Sequence, residues 1–144
     1  GQSTRVTGNF TNIENLTGTA NADSFVFHAG SSLSGNAAGL AEADTFVLSG
    51  NASVALLAGG GGDDTFNLAG FSLTGSVDGG NGGSDVLRGS DTFVLTGADS
   101  GTSPDVSASF SDIENLTGTA GNDTFTVNGG TLSGAINGLG GATD

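Results

Sequence analysis

Apolar and polar side chains alternate with period two in a series of short runs, each opening on an aspartate. These are Asp23-Ser-Phe-Val-Phe, Asp44-Thr-Phe-Val-Leu, Asp64-Thr-Phe-Asn-Leu and Asp123-Thr-Phe-Thr-Val, with a weaker Asp85-Val-Leu between them. Period two is what a strand with one buried face requires. Phe25 and Phe27, Phe46 and Leu48, Phe66 and Leu68, and Phe125 and Val127 form the inward set. A second short strand is expected about nine residues on, in Leu73–Val77 and Leu132–Ile136, with Gly and Asn at the corners where positive φ is needed. No stretch combines freedom from Gly and β-branched residues with a 3.6-residue period, so no helix is expected.

The runs recur at a fixed interval. From Asp23 to Asp44, Asp44 to Asp64, Asp64 to Asp85 and Asp123 to Asp144 the gaps are 21, 20, 21 and 21 residues. A constant period of this size marks a solenoid, in which each coil buries its apolar face only against its neighbours. The fold expected is all-β: a parallel β-helix of about seven coils of about 20 residues, forming one domain over residues 1–144. After a partial repeat over 1–22, coils start near 23, 44, 64, 85, 105 and 123, with Asp105 and Arg5 in the column position of their coils. A longer period is superposed, because Phe10-Thr-Asn-Ile-Glu-Asn-Leu-Thr-Gly-Thr-Ala returns 100 residues later from Phe110. In-register stacking places Phe25, Phe46, Phe66 and Phe125 in one inner column, spaced about 4.8 Å apart. No atypical polar repeat caps either end, which suggests a segment of something longer or a unit that stacks on itself.

Composition narrows the functions available. Fifteen acids face two cations, Arg5 and Arg88, for a net charge of −13. Nucleic acid and anionic membranes both need a basic footprint and are excluded as partners. The chain has 28 Gly and no Cys, which removes disulfides, thiolate metal sites and thiol chemistry. No apolar run approaches the roughly 18 residues of a membrane span, and no basic-then-apolar leader opens the chain, so any export signal is expected outside this segment. Recurring Phe, Val, Leu and Ile at strict spacing separate it from Gly-rich disordered sequences.

The Asp column poses an energetic question. Like charges 4.8 Å apart repel by about 3.5 kcal/mol at an effective dielectric of 20. Either turn amides donate to each carboxylate, as in an Asx-turn, or a cation bridges successive coils. Gly59-Gly60-Gly61-Gly62-Asp63-Asp64-Thr65-Phe66 fits the nonapeptide G-G-x-G-x-D-x-U-x of calcium-binding parallel β-helices. Gly80-Asn-Gly-Gly-Ser-Asp85 and Gly118-Thr-Ala-Gly-Asn-Asp123 are looser matches. On these motifs the chain resembles the repeats-in-toxin, or haemolysin-type calcium-binding, β-roll family of secreted bacterial proteins. The segment from Ile113 to Asp123 is similar to those that lead into such repeats in large bacterial adhesins. The resemblance implies Ca²⁺ held between turns by Asp64 and Asp85, with Asp63, Asp44 and Asp123 as outer ligands, since Ca²⁺ takes hard oxygen donors. The chain departs from that family in having one such turn per coil. Asn21 and Glu42 also stand where Gly is expected, so positive φ there would be strained.

Ile13-Glu14-Asn15 and Ile113-Glu114-Asn115 read as a strand turning a corner, Ile inward, Glu outward and Asn bonding its own backbone. His28 has no Ser or Cys paired with it by spacing, and Pro104 sits in the most loop-like stretch. These features point first to a structural repeat segment of a secreted or cell-surface bacterial fibre, adhesin stalk or matrix filament. It would be extracellular, without membrane insertion, and would assemble with itself end to end or laterally, with surface glycans as further partners. The alternative is a calcium-dependent carbohydrate- or ice-binding module using an outward file of Ser24, Thr45, Thr65, Thr92 and Thr124. An enzyme is not expected: β-helical polysaccharide enzymes combine acids with Arg or Lys on insertions from one face, and the one long departure here is residues 88–105.

Overall fold

The computed structural model describes residues 12–142. Fourteen strands form two sheets, and no helix occurs among the described residues. A short strand β1 (Leu16–Thr17) leads into three regular turns. Each has a strand on one wall and a longer strand on the other: β2 (Ser24–His28) with β3 (Ser32–Ala41), β4 (Thr45–Ser49) with β5 (Ala52–Gly61), and β6 (Thr65–Asn67) with β7 (Leu73–Gly80). The strands after each Asp stack in parallel register, Phe25↔Phe46↔Phe66↔Leu87, the last from β8 (Val86–Arg88). The opposite wall stacks Leu16↔Ala37↔Leu57↔Val77. The expected parallel β-solenoid is therefore present. Its smaller sheet has six strands, so the described residues make about six turns.

Alternation sets the core. Phe46, Leu48, Val54, Leu57, Phe66, Leu68, Val77 and Leu87 are all buried between the two walls. The stacked rings of Phe25, Phe46 and Phe66 lie with centroids 4.9 Å apart, close to the strand spacing. Each buried Phe contributes roughly 1.5–3 kcal/mol by area.

Beyond β8 the regular winding breaks. The chain runs into a meander of β9 (Thr92–Gly97), β10 (Ser100–Ser103) and β11 (Val106–Ser111), in which β10 is antiparallel to both neighbours. β11 rejoins the long wall beside β7, with Phe110 over Val77. The insertion moves everything that follows to the opposite wall. β12 (Asn115–Thr117) stacks on β8 in the smaller sheet, β13 (Thr124–Val127) stacks on β9 in the larger one, and β14 (Ile136–Asn137) returns to the smaller.

Four expectations are corrected. Phe125 does not continue the Phe25–Phe46–Phe66 column. It stacks on Phe93, centroids 5.5 Å apart, in the other sheet. The two Ile-Glu-Asn-Leu phrases do not occupy equivalent walls: Leu16 belongs to the eight-stranded sheet and Leu116 to the six-stranded one. Asp105 does not begin a coil in the column, because it sits in the β10–β11 turn and Glu114 takes the place expected for it. Of the second strand expected over Leu132–Ile136, only Ile136–Asn137 forms. Arg5 and Phe10 lie outside the described residues.

Candidate functional site

Asp44, Asp64 and Asp85, three of the carboxylates that open the runs, form a single file along one corner of the solenoid. The backbone N–H of Asp23 donates to Asp44 Oδ1, that of Asp44 to Asp64 Oδ1, and that of Asp64 to Asp85 Oδ1, each at 2.7 Å. The N–H of Asp85 donates to Glu114 Oε2, also at 2.7 Å. Every carboxylate thus caps the amide of the coil before it. Asp44, Asp64 and Asp85 are buried.

The second oxygen of each carboxylate is turned inward onto a glycine. A Cβ on Gly39 would overlap Asp44 Oδ2 and the Gly59 carbonyl, and one on Gly59 would overlap Asp64 Oδ2 and the Gly79 carbonyl. Oδ2 of Asp44 and of Asp64 accepts no hydrogen bond. Gly59, one of the glycines of the calcium-like motif, and Gly39, outside it, both leave room for the carboxylate of the same coil to lie against bare backbone.

Burial has the expected electrostatic effect. Desolvation raises Asp44 and Asp64 above the ordinary carboxylate range, opposed by the donated amide and reinforced by the neighbouring Asp charges. Asp85 is raised to about 6, first by burial, then by the charges of Asp64, Glu114 and Asp63, against the lowering effect of the Asp64 N–H. These are three consecutive carboxyls disposed to hold protons.

Of the five residues expected to hold calcium, the fold brings Asp44, Asp64 and Asp85 into the file. Asp63 is exposed at the same corner, where Oδ1 accepts the Ser84 N–H at 2.9 Å. Asp123 lies apart, beyond the inserted meander, and accepts the Thr119 N–H at 2.9 Å. The file does not fit a calcium site: one oxygen of each buried carboxylate is committed to an amide and, in Asp44 and Asp64, the other abuts glycine backbone. Among the described residues no three His, Cys, Asp or Glu side chains gather as a metal would need.

Sequence reasoning missed three members of this architecture. Glu114 was expected to point outward, yet its carboxylate caps Asp85. Asn15 and Asn115 were expected to bond their own backbone, yet their Oδ1 atoms accept amides one coil away, from Asn36 and Ala135. The run Asp91-Thr-Phe-Val-Leu95 repeats Asp44–Leu48 residue for residue and starts the second file. Its identity was the available signal, but it stands six residues after Asp85 and breaks the period of about twenty.

Other chemistry on the chain is also spent on coil-to-coil contacts. Ser49 Oγ lies 2.8 Å from His28 Nδ1, pairing the single histidine with a serine 21 residues away on the next coil, on an exposed wall. Ser90, Ser103 and Asp105 join at the base of the meander: Ser90 Oγ donates to Asp105 Oδ2 at 2.8 Å and lies 2.7 Å from Ser103 Oγ. The outward file Ser24↔Thr45↔Thr65 is in register but is interrupted by Val86, and Thr92↔Thr124 pair in the other sheet. No helix among the described residues is long and apolar enough to cross a membrane. No protein-family model, curated protein or solved structure matches the chain.

Proposed function

We propose that this chain is a structural rod segment of a secreted or cell-surface bacterial fibre, adhesin stalk or matrix filament. The observation that carries the reading is the carboxylate file. The carboxylates of Asp44, Asp64 and Asp85 are buried and used to lock each coil to the next, together with the Phe stack and the coil-to-coil bonds of Asn15 and Asn115. Such a design supplies stiffness along one axis and a Gly-rich, acidic exterior whose net charge of −13 favours solubility. The test is labelling of the intact producing bacterium with an antibody against the folded segment, combined with measurement of fibre length after its deletion. Labelling without permeabilisation and a shorter fibre are expected. Signal only in lysed cells would reject the reading.

A further inference from the structure

We infer that Asp44 and Asp64 are proton-operated locks between coils: each takes up a proton on Oδ2 and donates it to a glycine carbonyl of the next coil, Gly59 for Asp44 and Gly79 for Asp64. This holds wherever the rod is deployed. Gly18, Gly39 and Gly59 stand five residues before Asp23, Asp44 and Asp64. At each of these glycines a methyl group would meet both Oδ2 of that aspartate and the carbonyl oxygen of the glycine one coil on, Gly39, Gly59 and Gly79 in turn. Two oxygens therefore converge on one point in three successive coils. Neither a carboxylate oxygen nor a carbonyl oxygen can donate a hydrogen bond to the other.

The three cradles differ in what reaches Oδ2. In the first, Thr19 supplies two donors to Asp23 Oδ2, its N–H at 2.5 Å and its Oγ1 at 3.1 Å. In the next two, Leu40 and Gly60 occupy the place of Thr19, and the chain turns there through φ 91° and 112°. No donor reaches Oδ2 of Asp44 or Asp64, although Asp44 is 1% exposed and Asp64 fully buried. Their Oδ1 atoms already accept the amides of Asp23 and Asp44, so ionisation leaves a buried oxygen facing a second acceptor. The neutral acid removes that conflict. Its Oδ2–H donates to the glycine carbonyl while Oδ1 keeps the amide.

The surroundings favour the same form. Asp23 and Asp64 face Asp44, while Asp44, Asp63 and Asp85 face Asp64, and Glu42 is exposed at the same corner. All are acids. Burial above all, aided by neighbouring charge and opposed by the donated amide, raises both carboxyls above the ordinary range. Each lock is therefore closed below the pKa of the unfolded carboxyl and is lost as pH rises through the higher folded value. The two locks sit in consecutive joints, β3 with β5 and β5 with β7. Acid tightens these joints, and loss of the protons loosens them.

The experiment is an NMR pH titration of the wild type, isotope-labelled at the aspartate carboxyl carbons, in the folded state and again in urea. Through-bond correlation to the backbone assigns each resonance without recourse to a variant. Asp44 and Asp64 should ionise at a higher pH in the folded chain than in the unfolded one. Urea midpoints supply the second readout. Asparagine reproduces the neutral acid, with Oδ1 accepting the amide and Nδ2 donating to the glycine carbonyl. Asp44→Asn and Asp64→Asn should therefore unfold at neutral pH at a urea concentration equal to or above that of the wild type, and gain less in acid. Asp23→Asn removes a charge from the same corner but also the carboxylate that accepts both Thr19 donors, so its midpoint should fall below the wild type. Three results overturn the inference: ionisation of Asp44 and Asp64 at or below the unfolded value, midpoints for Asp44→Asn and Asp64→Asn that fall as far as that of Asp23→Asn, or calcium at fixed pH moving either carboxyl resonance. None of them bears on surface labelling, on which the rod reading stands or falls.

Discussion

Acid should stabilise this protein. In the folded chain Asp85 is raised from the ordinary 3.8 to about 6, and Asp44 and Asp64 move in the same direction. A group whose pKa is higher when folded binds more protons in the native state, so unfolding free energy falls as pH rises between the two values. For Asp85 the stabilisation is fully present below about pH 4 and lost by about pH 6. A rise of this size corresponds to about 3 kcal/mol, which for a chain of this length is roughly 10 °C in melting temperature. Thermal melts by circular dichroism from pH 7.5 to 4.5 should therefore show the Tm climbing as pH falls. Asp85→Asn keeps an acceptor for the Asp64 N–H and removes the charge, so its profile should be markedly flatter. Asp63→Asn removes the same charge from the exposed corner and should keep most of the slope, which separates the file from the general relief of negative charge. A wild-type Tm that is flat or falls on acidification, or equal slopes in the two variants, would refute the reasoning.

Three further outcomes follow from the same corner. Gly59→Ala places a methyl group against Asp64 Oδ2 and the Gly79 carbonyl, and overpacking of this kind should cost about 1–3 kcal/mol in urea unfolding. Leu40 has φ 91° in register with Gly60 at 112° and Gly80 at 107°, and its side chain is half exposed. Leu40→Gly should therefore raise stability by about 1 kcal/mol in the same assay, the lower end of the strain carried by a non-Gly residue in this region. Because the file's oxygens are committed to amides and glycine backbone, melting curves in a chelator and in added calcium should coincide, checked by differential scanning calorimetry.

Much of the fold was legible because its controlling features are local. The Asp-Thr-Phe runs alternate with period two, and their interval of about twenty residues fixes one turn of a solenoid wherever it holds. The stacking of Phe25, Phe46 and Phe66 follows from those two facts. The candidate site was legible only in part. The sequence offered Asp44, Asp64 and Asp85 as a column but left capping and calcium both open, since each uses Asp beside Gly. The choice depends on where the two oxygens of one carboxylate point, which is settled by the amide of the preceding coil and by the backbone of the glycine corner.

The repeat, the strand phrases and the inward-turned side chains of the regular coils are written in the order of residues alone. The wall to which each phrase belongs emerges only from long-range strand pairing. Both walls bury an apolar face and both obey the same alternation, so a phrase carries no local mark of its sheet. The phase is set by how the strands between Arg88 and Asp112 pair. The antiparallel meander of β9, β10 and β11 carries Phe125 to one wall and Leu116 to the other, and it seats Glu114 where the count of residues had placed Asp105.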